Sequence, residues 1–377
     1  MDAREHKPVF ILTANGADVS GKVNDRLVSI KVFDSAGFTN DRIEIELDNR
    51  EPYLAAPSDG ASFGVTLGYQ GDLRDKGTYT YTELTLRGAP DMMLVRAHAH
   101  DTKSAIKSGR DESYHKMSLE DIVKKIGERN GMDVTVAPEL ANKFFQHRDQ
   151  VAQSDMAFLT TMAMEKDAIV KFTGGKLVIA PRGMTKSISG QDVQNTAISK
   201  TECTEWSYTK QSRGKFEGAT VGYHDQEENK EKQASSGNAD GTVAAVPEVG
   251  VNKEEAEDQA MAKSNSHKRS EETFTFTCYG RPELAAECQV TLDGFPPDVP
   301  TSWLISDCVH VYVHRVGYVT QCVCELQGSG GNGGFDASGS TQDQDASSST
   351  GKDVDETDGT GDKLVKKNEA DDGQTNT

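Results

Sequence analysis

The sequence predicts a mainly β protein with an α+β insert: two β-barrel domains, a small α+β domain between them and a disordered C-terminal tail. Three observations carry this reading. Between Leu27 and Leu86 apolar and polar residues alternate with the period of half-buried strands, as Ile43, Ile45 and Leu47 do against Arg42, Glu44 and Glu46. The same pattern returns after Cys203, with a stretch of helical periodicity in between. From Gln327 onward the chain has one Phe, one Leu and two Val, too little apolar surface to offset the entropy of ordering.

Residues 1–100 form the first β-block. Its runs LVSIKVFDSAGFTNDRIEIELDN, ASFGVTLGYQGDL and KGTYTYTELTLRG are punctuated by turns at Asn40-Asp41, Asp59-Gly60, Gly71-Asp72 and Lys76-Gly77, and it closes with DMMLVRAHAHD. Residues 101–195 change period. Ser118 is placed to cap a helix, with Asp121 three residues on. Leu119, Ile122, Val123 and Ile126 follow at helical spacing, and Gly131 ends the helix. A second helix starts at Ser154 or Asp155 and runs through Met164, burying Phe158, Leu159 and Met162; residues 169–172 and 177–179 then flank Thr173-Gly174-Gly175 as a hairpin.

Residues 196–326 form the second β-block, with strands in WSYTK, KFEGATVGYHD, ETFTFTCYG, AECQVTLDG, SWLISDCVHVYVHR and GYVTQCVCEL. Within it, the polar stretch 225–252 reads as a mobile loop and residues 253–269, rich in Ala, Glu and Lys, as a surface helix. Two blocks of similar size suggest a duplicated barrel, although no residue-level repeat joins them. Residues 327–377 are the acidic tail.

The 377 residues carry a net charge of −19, of which the tail holds −7 through 11 acidic and 4 basic side chains. The remaining −12 argues against a nucleic-acid-binding surface. MDAREHKPVF has no apolar core and no later stretch approaches 18 apolar residues, so neither a signal peptide nor a membrane span is expected. Cys203, Cys278, Cys288, Cys308, Cys322 and Cys324 are scattered through a large chain, the pattern of reduced, mostly buried thiols.

Three of these cysteines, with His310, invite a chemical reading. With a turn at Arg315, Val316 and Gly317, Cys308 faces Cys324 and His310 faces Cys322 on one sheet face, a Cys₃His set of the kind zinc uses. A two-residue turn would put the pairs on opposite faces. A flat sheet also spreads four ligands too widely for a tetrahedral ion, and no Cys-x₂-Cys knuckle is present, so the expectation is buried thiols. His98 and His100, beside Asp101, share a strand face without a visible third ligand; a strand end entering a polar loop explains them equally. Gly174-Gly175 precedes a strand and no helix, so it cradles no phosphate. No G-x-S-x-G, H-E-x-x-H or Walker motif occurs, and no carboxylate pair stands out for glycoside cleavage. The cluster Lys363-Leu-Val-Lys-Lys367 reads as a solvated charge run, with a short docking motif as the alternative. No catalytic, cofactor-binding or metal-ligating residue is therefore assigned, and the chain is read as a non-enzyme.

Several short phrases recur in a fixed order: Leu27-Val-Ser-Ile, Asp41-Arg-Ile-Glu-Ile-Glu-Leu-Asp48, Leu67-Gly68-Tyr69-Gln-Gly71, Gly77-Thr-Tyr79, Gln153-Ser-Asp155-Met-Ala-Phe158-Leu159, Gly174-Gly175-Lys176-Leu177, the Ala-rich helix before Gly280, and His310 with Gly317-Tyr318-Val-Thr320. In order and spacing they make residues 8–326 resemble the late control gene D family of contractile-tailed phages. These tail hub proteins are similar to the hub part of type VI secretion spikes and of R-type pyocins. The long loop at 225–252 and the acidic tail depart from the pattern.

The resemblance implies a baseplate hub in the virion, assembled in the host cytoplasm. It implies a homotrimer in which each protomer contributes two tube-like barrels, so that three chains imitate a sixfold ring. One face then continues the tail tube protein and the other seats a threefold spike protein, with further contacts to the tape measure and other baseplate proteins. DNA enters only as passing cargo; the charge balance adds the expectation that part of the acidic excess lines the bore, where like charge keeps DNA from sticking. Two other readings stay open: a baseplate-associated peptidoglycan hydrolase with its active module in 101–190, and the hub of a secretion-system or bacteriocin device.

Overall fold

Alternation in the first block sends every second side chain into one core. The computed structural model describes residues 7–37, 41–99, 106, 108–173, 176–183, 195–211, 216, 218–225, 228–238 and 242–326. The first block contains β1 (Pro8–Ala14), β2 (Ala17–Asp18), the single-turn α1 (Ser20–Val23), β3 (Leu27–Ser35), β4 (Arg42–Asp48), β5 (Ser62–Tyr69), β6 (Asp72–Arg87) and β7 (Met92–His98). Neighbouring strands run antiparallel in the order β3-β4-β7-β6-β5-β1. Ile30, Ile43, Ile45, Val65, Leu67 and Ala97 are buried in their core. Fully burying a Val, Leu or Ile side chain is worth about 1.5–3 kcal/mol.

The expected turn at Lys76-Gly77 is instead a bulge inside β6. Gly64 pairs with Thr78 and Thr66 with Asp75, so two residues of β6 stand opposite Val65 alone. Gly77 takes φ +98°, a conformation that costs glycine little and lets the strand absorb the extra residue. Asp59-Gly60 turns as expected. Asn40, His100, Asp101, Gly174, Gly175 and the whole stretch 327–377, with its lysine cluster, lie outside the described residues.

The middle region contains β8 (Gly109–Ser118), α2 (Leu119–Asn130), β9 (Asp133–Val136), α3 (Pro138–Ala141), β10 (Phe144–Ser154), α4 (Asp155–Met164), β11 (Ala168–Thr173) and β12 (Lys176–Pro181). Ser118 accepts from the Asp121 N–H and Gly131 closes α2 in the left-handed region at φ +64°. Leu119, Ile122, Val123 and Ile126 are all fully buried, against Phe158, Leu159 and Met162 of α4. The sheet on which they rest is β11-β12-β9, and β8 and β10 form a separate two-stranded ribbon.

The second block holds β13 (Asn195–Ser199), a 3₁₀ turn (Lys200–Glu202), β14 (Cys203–Lys210), β15 (Gly218–Asp225), β16 (Lys230–Gly237), β17 (Val243–Gly250), α5 (Lys253–Glu271), β18 (Glu272–Tyr279), β19 (Gln289–Asp293), β20 (Ser302–Val313) and β21 (Gly317–Glu325). It departs from expectation in two ways. The stretch 225–252 is largely strand: β16 and β17 flank β15, one antiparallel and one parallel. Val221, Tyr223, Ala234, Ala256 and Ala260 form a small core beneath α5. Periodicity gave no sign of β16, because only Ala234 of its eight residues is buried.

The second departure concerns the sheet itself. β20 pairs antiparallel with β3 from Asp307↔Ser35 to Val313↔Ser29. The two blocks thereby become one 13-stranded sheet, in the order β14-β18-β21-β20-β3-β4-β7-β6-β5-β1-β2 with β13 and β19 branching beside β20. Phe274, Phe276, Val290, Trp303 and Ile305 build the second core, whereas Tyr312 and Tyr318 of the second block belong to the first. Packing and hydrogen bonding both cross this seam. No helix among the described residues is long and apolar enough to cross a membrane.

Candidate functional site at the seam

Strand β20 supplies the seam with its chemically distinctive groups. The β20–β21 hairpin turns through His314, Arg315 and Val316, with Val313 paired to Gly317. This shifts the register two residues from the expected one. Cys308 faces Cys322, His310 faces Thr320, and a bulge at Ser306 sets Cys324 opposite Ile305. A shift of two keeps the same face, so Cys308, His310, Cys322 and Cys324 do lie together, each at most 2% exposed.

What meets them is Lys76, a group that pattern reading passed over. The β6 bulge delivers it across the seam, with Nζ 2.8 Å from His310 Nε2, 2.7 Å from the Pro282 carbonyl and 3.4 Å from the Leu284 carbonyl. Three acceptors thus surround the three ammonium protons. Nε2 also lies 3.0 Å from the Leu284 carbonyl and 3.4 Å from Cys308 Sγ, and Nδ1 faces Tyr318 Oη at 2.7 Å and Thr320 Oγ1 at 3.2 Å. Burial pushes Lys76 below the usual lysine range. The Cys322 thiol donates toward Cys308 Sγ across 3.7 Å, which draws Cys308 down to about 6 and drives Cys322 well above the ordinary thiol value.

Nε2 of His310 already faces the Lys76 ammonium, and among the described residues no group of three His, Cys, Asp or Glu side chains is placed to hold a metal ion. All six cysteines are free, and four of them are buried. A largely buried lysine–histidine–thiol network works as a pin holding the two blocks together.

Further polar ties bring the middle region to the same seam. Asp34 of β3 accepts from Lys171 of β11 at 3.1 Å and from the Ala286 N–H at 2.8 Å. Asp41 lies beside this group; burial and the Asp34 charge raise it to about 6, against the pull of Lys171. At the other end, Arg269 of α5 grips both oxygens of Asp167 and lies 3.6 Å from Glu325, which Arg182 also meets at 2.9 Å. Lys143 and Lys166 converge on Asp258 at 2.9 Å each. These partly buried pairs add orientation more than net stability.

Two carboxylates of the middle region are similarly engaged. Asp155 is fully buried and shared by Arg129, Asn130 and Gln150, and Glu112 is held by Arg129 and Lys125. No water-facing acid–base pair of the kind a hydrolase requires is formed by these two. The groove at the far end of the first block, ≈ 450 Å³, is lined by Asn49, Tyr53, Leu54, Leu86, Arg87, Gly88, Asp91 and Met92, with no nucleophile–base pair.

A continuous sheet whose buried polar groups are spent on locking its parts together defines a structural assembly protein. The model of the phage tail baseplate hub (GPD) family matches residues 60–315, and the chain belongs to that family. The probable baseplate hub protein of Escherichia phage 186 is 29% identical over 364 residues, covering 85% of this chain and 93% of that protein. Its counterpart in Escherichia phage P2 is 27% identical over 363 residues, with the same coverage. Among solved structures, the 43 kDa tail protein of prophage MuSo2 from Shewanella oneidensis superposes with a TM-score of 0.64 at 12% identity, over 84% of this chain and 98% of that one. The E. coli c3393 protein, a component of the type VI secretion system, gives 0.53 at 10% identity, over 79% and 73%. At such identities these two likenesses concern the fold alone. The chain is a baseplate hub component of a phage tail, with a structural and non-enzymatic role.

Proposed function

We propose that this hub works as a homotrimer whose two β-blocks, each a tube-like barrel, present six similar units around an axis, adapting a sixfold tail tube to a threefold spike. The observation that carries this reading is the layout on either side of the seam. On one side β3, β4 and β7 follow one another antiparallel; on the other β20, β21 and β18 do the same. Equivalent hairpins back to back let one chain offer two similar surfaces, as matching a threefold ring to a sixfold one requires. The end strand of the sheet order, β14, pairs on one edge only among the described residues, and its other edge is one that a neighbouring subunit would cover.

In this reading the tube protein docks on one face of the ring, the spike on the other, and the tape measure reaches the bore, which DNA crosses without binding. The seam network keeps the two blocks of one chain from shifting when the sheath contracts. Native mass measurement followed by electron microscopy of the purified protein tests this. A trimeric ring with an axial hole is expected; a monomer at micromolar concentration, without a pore, overturns it. A neutral or basic bore in such a ring would overturn the acid lining alone.

A further inference from the structure

The β8–β10 ribbon carries a second polar constellation, remote from the seam and unused by the hub reading. His115 and His147 stand directly opposite each other across the ladder, and Ser113 stands opposite Asp149 on the same face. The two imidazole centroids are 4.5 Å apart and their Nδ1 atoms 2.9 Å. The other nitrogen of His147, Nε2, lies 2.8 Å from Asp149 Oδ2, while Ser113 Oγ donates to Asp149 Oδ1 at 2.5 Å. Hydrogen bonds from Ser113 and His147 hold Asp149 below the usual carboxylate range.

A carboxylate fixed in this way is an acceptor, so it places the His147 ring proton on Nε2 and leaves the Nδ1 lone pair aimed at His115. A histidine oriented from behind by a carboxylate is the arrangement that accompanies metal-ligating histidines; in the metal-free protein the two Nδ1 atoms share a hydrogen bond, and an ion takes that proton's place once His115 carries its proton on Nε2 instead. The spacing agrees. Two imidazole nitrogens at about 2.1 Å from one ion, in adjacent octahedral positions, stand about 3.0 Å apart.

We propose that His115 and His147 form a two-imidazole site for an octahedral divalent transition ion such as nickel, with Asp149 and Ser113 as positioning residues. Water completes the coordination, because the His147 side chain is 48% exposed. Only two protein nitrogens reach the ion, in keeping with the absence of any three-residue cluster among the described residues. Neutral imidazoles select such ions over magnesium or calcium, which prefer oxygen ligands. The bound ion clamps β8 to β10.

Calorimetric titration of Ni²⁺ into the full-length protein at neutral pH tests the site. Wild type is expected to take up one more ion than the His115→Ala/His147→Ala double variant. Each single histidine variant should bind at least about tenfold more weakly, and Asp149→Asn about tenfold or more. Ni²⁺ should raise the thermal midpoint of wild type and leave the double variant unmoved. Circular dichroism of the metal-free proteins reports whether the variants fold, and His147→Gln replaces His147→Ala should the latter not. Equal uptake by wild type and the double variant overturns the site. An Asp149→Asn protein with wild-type affinity overturns the positioning role.

Discussion

Lys76 shows how much one side chain can hold. Its ammonium serves His310 and two backbone carbonyls at a place where β6, β20 and the segment around Pro282 meet. Lys76→Met keeps the aliphatic stem and strands those acceptors, each buried unsatisfied group costing about 1–3 kcal/mol. A stability loss of roughly 2–4 kcal/mol in urea titration is expected; an unchanged midpoint would mean the network is incidental. Asp41 behaves in the opposite sense. Its folded value of about 6 exceeds the ordinary 3.8, so the folded chain holds this proton more tightly than the unfolded one. The stability Asp41 contributes is full below pH 3.8 and is lost as pH rises through about 6. Asp41→Asn, which keeps an acceptor for the Ser35 N–H, should therefore be more stable than wild type at neutral pH, on the order of 1–3 kcal/mol. The advantage should vanish below pH 3.8. No difference between the two pH values would show that Asp41 is not strained by its surroundings. Neither role is visible in sequence, where Lys76 precedes a glycine in what reads as a turn and Asp41 follows Asn40 in another.

At the scale of elements, legibility tracked local physics. Helix α2 could be read end to end, because its cap Ser118, its apolar face Leu119–Ile122–Val123–Ile126 and its stop at Gly131 are all encoded within the segment. The strands β16 and β17 could not, since what makes them strands is pairing with β15 and cover from α5. The ribbon β8–β10 was missed for the same reason: Tyr114, Phe145 and Gln150 are buried, but the rest of both strands is mostly polar. Helix α5 depends on its anchor as well. Arg269→Met leaves Asp167 and one side of Glu325 without their cation, and breaking one partner of such a buried pair costs about 3–5 kcal/mol. Hydrogen exchange should show faster opening of α5 and β15–β17 than in wild type; uniform exchange would place the anchor elsewhere. Adding Asp167→Leu should recover part of the loss.

For the whole molecule, the continuous sheet carries the consequence. Because β3 pairs with β20 from Asp307↔Ser35 to Val313↔Ser29 and Tyr312 and Tyr318 pack into the first core, the two blocks are expected to unfold together. Calorimetry of the purified protein should show a single cooperative transition for the two blocks, the same in near-UV and far-UV signals. Two separated transitions assigned to the two blocks would make the seam a mere contact. The sequence alone determined the alternation of strands, helix α2 with its cap and stop, the span of α4, the mainly β class and the family resemblance, all of which rest on neighbours a few residues apart. Only the tertiary structure decided that the blocks share one sheet, that the β20–β21 register brings Cys308 to Cys322, and that a bulge carries Lys76 to His310. Those outcomes depend on partners more than 200 residues distant for Lys76 and β3, and a pairing between remote strands is selected by the sum of both surfaces, which no local pattern records.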